Sequence, residues 1–147
     1  MKTYLLSTLS LGALLAACTT TPSGPGNAGS RPATAAVVKD SVTGSVTYRD
    51  RMALPPTAVV QVQLQDVSLQ DVAATIIDSV TIRPNGRQVP LPFTLHYDTA
   101  RIRPTNTYVV QAYILLEGRI LYRTDAAYPV LTRGNPKQAT LVLRRSQ

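Results

Sequence analysis

The sequence predicts an all-β protein, a single seven-strand antiparallel β-sandwich behind a flexible N-terminal tether. Three observations carry this expectation. Beyond residue 36 the apolar residues recur with period two rather than 3.6. Clusters of Gly, Pro and Asn punctuate those runs at the spacing of short strands. Residues 37–147 are enough chain for one ordinary domain, with no internal repeat or second domain visible.

Residues 1–17 have the layout of a secretory signal: Lys2, a leucine-rich run from Leu5 to Leu15, then Ala16 and Ala17. The apolar run is shorter than the roughly 20 residues that span a bilayer, and Ser7, Thr8 and Ser10 interrupt it. Cys18 follows at once and is the only cysteine, so no intramolecular disulfide can form. The string Leu15-Ala16-Ala17-Cys18 resembles a bacterial lipoprotein processing site, which implies cleavage before Cys18 and lipid on its thiol. Two or more acyl chains anchor a protein stably. By the same resemblance, Thr19 rather than Asp after the cysteine implies the outer membrane, with the protein on the periplasmic face. Residues 18–36 form the expected tether: Thr, Pro, Ser, Gly, Asn and Ala, with Arg31 as the sole charge and no apolar periodicity. A flexible chain of that length spans on the order of 20–25 Å r.m.s..

The strands follow in order. Val42, Gly44, Val46 and Tyr48 line one face of the first. Val60, Val62 and Leu64 alternate with Gln61, Gln63 and Gln65, the pattern of a half-buried antiparallel strand. Between Val72 and Ile82 the pattern is weaker: Ile76, Asp78, Val80 and Ile82 share a face, so either Asp78 is paired inside or the strand lies at an edge. Leu91, Phe93, Leu95 and Tyr97 alternate cleanly with Pro92, Thr94, His96 and Asp98. Tyr108, Val110, Ala112, Ile114 and Leu116 line a long strand, and Ala139, Leu141 and Leu143 line the last.

The hairpin at Glu117-Gly118 can be argued from charge. A two-residue turn pairs Leu116 with Arg119 and Ala112 with Arg123, which puts two arginines on the face carrying Ile114. Burying unpaired charge is very costly. A three-residue loop with Gly in the left-handed region instead pairs Ile114 with Ile120 and Ala112 with Tyr122. That odd loop turns Tyr113, Leu115, Leu121 and Arg123 outward. The outer face of such a pair is ordinarily polar, and Tyr, Arg and contiguous apolar surface mark contact sites. These four residues are the candidate partner-binding surface, the alternative being that a terminal segment or neighbouring strand covers them as a second small core.

Four blocks carry a family resemblance: Val42–Arg51 with Ala53-Leu54-Pro55-Pro56, Val62–Ser68, Gln88–Phe93 with Tyr97-Asp98, and Pro129–Gly134. Together they resemble the YbaY/YscW-like lipoproteins. The resemblance implies a transthyretin-like or immunoglobulin-like β-sandwich on a lipid anchor. In the YscW branch it also implies pilotins, lipoprotein chaperones that help a type III secretion secretin reach and assemble in the outer membrane.

The residues themselves point away from catalysis. His96 is the sole histidine, on a strand between Thr94 and Asp98 and expected to face solvent, so a metal cluster would rest on carboxylates alone. No Gly-x-Ser-x-Gly elbow and no phosphate-cradling glycine loop is present. Neither cofactor nor metal is expected. The chain carries a formal charge of +7, and twelve of its fifteen basic residues are arginine, suited to forked binding of carboxylate or phosphate. A lipid-tethered protein in the periplasm meets no nucleic acid. The expectation is therefore an interaction or chaperone-like module for an outer-membrane or periplasmic protein, with an anionic envelope glycolipid or glycan as the alternative ligand.

Overall fold

The structure, a computed structural model, describes residues 38–147. The expected signal, Cys18 and the tether lie outside the described residues. Among the described residues eight strands form: β1 (Lys39–Tyr48), β2 (Val59–Asp66), β3 (Thr75–Ile82), β4 (Leu91–Asp98), β5 (Tyr108–Leu116), β6 (Arg119–Thr124), β7 (Tyr128–Val130) and β8 (Gln138–Arg145). A single 3₁₀ turn, Thr99–Arg101, follows β4, and the Asp98 carboxylate caps it by accepting the Ala100 N–H at 2.9 Å.

The all-β expectation holds, but the architecture is one eight-stranded sheet rather than a seven-strand sandwich of two layers. All strands belong to one sheet in the order β3-β2-β5-β6-β8-β1-β4, with β7 paired to β5 beyond that path. β1 and β8 are parallel, and every other pair is antiparallel. The eighth strand arises because β5 is too long for one partner. β6 pairs with its Tyr113–Leu116 half and β7 with Tyr108–Val110.

The sheet curls until its two edges, β3 and β4, lie side by side in a nearly closed barrel. A side chain spans the seam: the Asp78 carboxylate accepts the His96 backbone N–H at 2.7 Å. Asp78 is thus both on an edge strand and paired. β3 also carries a bulge, since Leu64 opposes Asp78 while Gln65 opposes Ile76. The extra residue, Ile77, packs on the core and Ile76 is left exposed, so the single face expected for Ile76 through Ile82 is broken at this point.

Alternation places the core. Val42 and Val46 from β1, Val60, Val62 and Leu64 from β2, Leu91 and Leu95 from β4, and Leu141 and Leu143 from β8 are all buried. Gly44 is required by close approach. A Cβ there would sit 1.9 Å from the Ala139 carbonyl oxygen on β8 and 2.7 Å from the Phe93 ring on β4. Lys137 pairs with Asp40, which also accepts from the Tyr97 O–H at 3.0 Å. The hydrogen bond from Lys137, with those from Ser41 N–H and Tyr97, holds the Asp40 carboxyl down to about 2.

The barrel has two ends. At one, Val38 leads into β1, β4 turns into Thr99 and the β2–β3, β4–β5 and β7–β8 loops meet. Thr99 N–H donates to Val38 O at 3.0 Å, Asn106 Nδ2 to Asp66 Oδ2 at 2.7 Å and Arg133 Nη2 to Thr105 O at 3.0 Å. At the other lie the β1–β2 and β3–β4 loops, the β5–β6 turn and the C-terminus.

Candidate partner-binding site at the arginine-rich end

The β5–β6 hairpin uses the two-residue turn after all. Glu117 (φ 50°) and Gly118 (φ 79°) both occupy the left-handed region, as a two-residue hairpin turn of the primed type demands. Leu116 opposes Arg119 and Leu115 opposes Ile120; then the register shifts, Ile114 opposing Tyr122 and Tyr113 opposing Arg123. Leu121 is the extra residue of a bulge. The charge argument for an odd loop is satisfied one step later: the bulge resets the phase, so Tyr122 is buried while Arg119 and Arg123 are exposed.

This corrects one of the four candidate residues. Tyr113, Leu115 and Arg123 do share the outer face. Leu121 turns to the opposite face and packs against the core. Ile120, 45% exposed, stands in its place beside Leu115. Val59 on β2 extends this apolar row, opposite Leu115. The next row runs Gln61, Tyr113, Arg123 and Arg144 across four strands. Tyr113 O–H donates to Gln111 Oε1 at 2.7 Å, and Asp125 accepts from Arg144 Nε at 2.7 Å, which offsets the repulsion between Arg144 and its cross-strand neighbour Arg123. Tyr113 and Leu115 are half-buried; Ile120 and Arg123 are exposed.

The hairpin also helps to line an apolar cavity of about 200 Å³, bounded by Tyr48, Met52, Leu54, Leu116, Leu121 and Arg145, among others. Its wall is firmly built. The Tyr48 and Tyr122 rings stack with centroids 4.6 Å apart. Tyr48 O–H donates to Met52 O at 2.8 Å and Tyr122 O–H to Asp50 Oδ2 at 2.9 Å. Burial, with the Asp50 charge adding to it, pushes both phenols up, so they remain donors. Gln88 clamps Leu54, accepting its N–H at 2.7 Å and donating to its carbonyl at 3.3 Å. Arg145 lies on the shared rim of this cavity and of an open cleft of about 580 Å³ that also contains Arg49, Asp50, Asp125 and Arg144.

Arginine crowds this end: Arg49 and Arg51 follow β1, Arg83 and Arg87 follow β3, Arg119 opens β6, and Arg144 and Arg145 close β8. Among the described residues the ion pairs are Arg144 with Asp125 and Lys137 with Asp40, so most of these arginines have no carboxylate partner there. An exposed apolar row, an apolar cavity and surplus guanidinium groups can hold an amphipathic anionic surface, guanidinium to carboxylate or phosphate and apolar side chain to cavity. Sequence reasoning missed Ile120 because nothing in Arg119-Ile120-Leu121-Tyr122 announces a bulge. It missed Met52, Leu54 and Arg145 because the cavity is assembled from three separate segments.

Among the described residues no three His, Cys, Asp or Glu side chains stand close enough to hold a metal ion. His96 is exposed, as expected. No helix among them is long and apolar enough to cross a membrane.

Comparison with known proteins bears on this geometry. The uncharacterized lipoprotein YbaY of Escherichia coli (strain K12) is 32% identical over 102 residues, which cover 69% of this chain and 54% of that protein. The chain thus spans about half the length of this curated relative. A solved structure of an alternative pilotin from the type II secretion system of Vibrio cholerae superposes with a TM-score of 0.72 at 43% identity, covering 75% of this chain and 99% of that one. The family model described as type III secretion system lipoprotein chaperone (YscW) matches residues 37–143. The chain belongs to this YscW lipoprotein chaperone family.

Proposed function

We propose that this protein is a lipid-anchored, non-enzymatic chaperone or scaffold of the bacterial envelope, held at the periplasmic face of the outer membrane through Cys18. Its work is to dock a protein partner of the secretion-channel type. Support comes from the family, from the pilotin that shares the fold at 43% identity, and from the lipoprotein processing string before Cys18. The observation that carries the reading is the surface itself: Tyr113, Leu115, Ile120 and Arg123 side by side on an outer sheet face, on the same hairpin that lines an apolar cavity through Leu116 and Leu121. A face of this kind has the aromatic, apolar and arginine content of an interface centre rather than of a solvated sheet.

The same chemistry supports a second ligand class, an anionic envelope glycolipid, because phosphate beside an acyl group meets the same complementarity. One experiment separates the two. The lipidated protein is purified from envelopes, its N-terminal peptide is weighed, and the co-purifying material is identified. A diacylglyceryl-modified Cys18 and a stoichiometric envelope protein support the proposal. Glycolipid without protein moves the assignment to the second class. An unmodified thiol, or a chain beginning elsewhere, removes the anchor.

A further inference from the structure

The end opposite the arginine cluster has a different surface, and it is the end at which the anchored segment joins the domain. Among the described residues six large apolar side chains stand exposed. Met52 and Ile120 belong to the arginine-rich end. The other four, Val38 (64%), Leu69 (72%), Val72 (62%) and Ile76 (49%), belong to the opposite rim. Topology makes them neighbours along that rim. Around the barrel β1, β4, β3 and β2 are consecutive, with β4 and β3 meeting at the seam. Val38 leads into β1, Ile76 stands at the start of β3, and Leu69 and Val72 crown the loop between β2 and β3.

The loop that presents Leu69 and Val72 is braced from below. Val67 N–H donates to Thr107 O at 2.9 Å and Thr107 N–H to Ser68 Oγ at 2.9 Å. Burial alone would raise the Asp66 carboxyl. The Ser68 O–H and N–H and the Asn106 amide outweigh it, with Arg103 adding, and hold the carboxyl below its ordinary range. Asp71, between the two apolar residues, adopts φ 59°. Charge is nearly balanced at this rim: Lys137 is paired with Asp40, Arg103 faces Asp66, and Asp98 is occupied in capping the 3₁₀ turn. Exposed apolar side chains with little net charge distinguish it from the arginine-rich end.

We propose that this rim seats on the bilayer, with Leu69, Val72, Ile76 and Val38 dipping into the headgroup region of the leaflet that carries the lipid on Cys18. The arginine-rich end then points away from the membrane, open to its partner. The inference rests on the anchor assigned above. The bilayer is the occupant because the chain leading from Cys18 enters the domain at Val38, within this rim, and a flexible chain the length of residues 18–36 spans on the order of only 20–25 Å r.m.s.. Four scattered apolar side chains bind a membrane weakly by themselves. Beside a lipid anchor they act as the second signal that fixes orientation.

The chain contains no tryptophan, so a single introduced indole reports its own surroundings. The lipidated full-length protein carrying Leu69→Trp is placed in vesicles of phosphatidylcholine and phosphatidylethanolamine, and Ile120→Trp is prepared in the same way. Both positions are exposed, and neither change disturbs the core. In vesicles that float with the protein, Leu69→Trp emission is expected to shift to the blue and lose about half its intensity to brominated lipid, while Ile120→Trp keeps a solvent-like, unquenched spectrum. Equal and solvent-like spectra in floating vesicles overturn the orientation and leave the anchor standing. Stronger quenching at Ile120→Trp also overturns it, because the basic end would then face the lipid. A blue shift at Leu69→Trp without quenching by brominated lipid assigns the rim to a second copy or another protein. Failure to float overturns the anchor, and the orientation with it.

Discussion

Replacing Gly44 by alanine inserts one methyl group where three strands of the barrel come closest. Gly44 lies on β1 between Phe93 of β4 and Ala139 of β8, and its new Cβ would fall 1.9 Å from the Ala139 carbonyl oxygen and 2.7 and 2.8 Å from two Phe93 ring atoms. Phe93 can change rotamer, but the Ala139 oxygen is backbone, fixed by a parallel ladder that runs from Thr43 to Tyr48. Overpacking of this kind costs about 1–3 kcal/mol, and displacing a buried phenylalanine approaches the cost of removing one, about 3–5 kcal/mol. The expected loss is therefore about 3 kcal/mol, or roughly 12–20 °C in Tm for a domain near 100 residues. The assay is thermal and urea unfolding of the folded domain. Gly86→Ala serves as the contrast: its φ is +85° with open space around it, so only backbone strain, about 1 kcal/mol, is at stake. Adding Phe93→Leu to Gly44→Ala should recover part of the loss and not all, because the carbonyl clash persists. A Gly44→Ala protein within about 0.5 kcal/mol of the parent would refute the β8-β1-β4 packing described above.

Other expectations follow from single contacts. Leu121→Ser should lower Tm clearly, since Leu121 packs against the core; an unchanged Tm would return it to the outer face. Asp40 is held at about 2 against an ordinary 3.8, so its contribution is complete above pH 3.8 and disappears as pH falls through 2. Asp40→Asn should accordingly flatten the loss of Tm between pH 4 and pH 2, and an unaltered slope would contradict the Lys137–Asp40–Tyr97 cluster. Asp78→Ala should leave the His96 amide without its acceptor at the β3–β4 seam and speed its hydrogen exchange, whereas unchanged protection would mean that the seam is closed by other groups.

Much of the strand inventory was legible because the barrel interior imposes strict alternation. Leu91, Phe93, Leu95 and Tyr97 are buried and the residues between them exposed, as the period-two pattern requires. The same parity placed Tyr113, Leu115 and Arg123 on one outer face. Features set by distant pairing were not legible. The parallel contact of β1 with β8 joins residues nearly the whole domain apart, and its close fit is visible in sequence only as Gly44 within an otherwise apolar face. β7 is three residues long and includes Pro129, too short for a periodic signal. The bulges at Ile77 and Leu121 have no local composition of their own. Each moves one isoleucine to the surface, Ile76 at the seam and Ile120 at the candidate site.

The docking surface proposed above for an envelope protein is the outer face of the β5–β6 hairpin together with the cavity that this hairpin helps to line. The most direct measurement is recovery of the co-purifying partner by the lipidated protein carrying Leu115→Ser together with Ile120→Ser, read beside its melting temperature. The partner should be lost while Tm stays within a few degrees of the parent, because Ile120 is exposed and Leu115 is half-buried on the outer face. Full partner recovery by a folded double variant would contradict it.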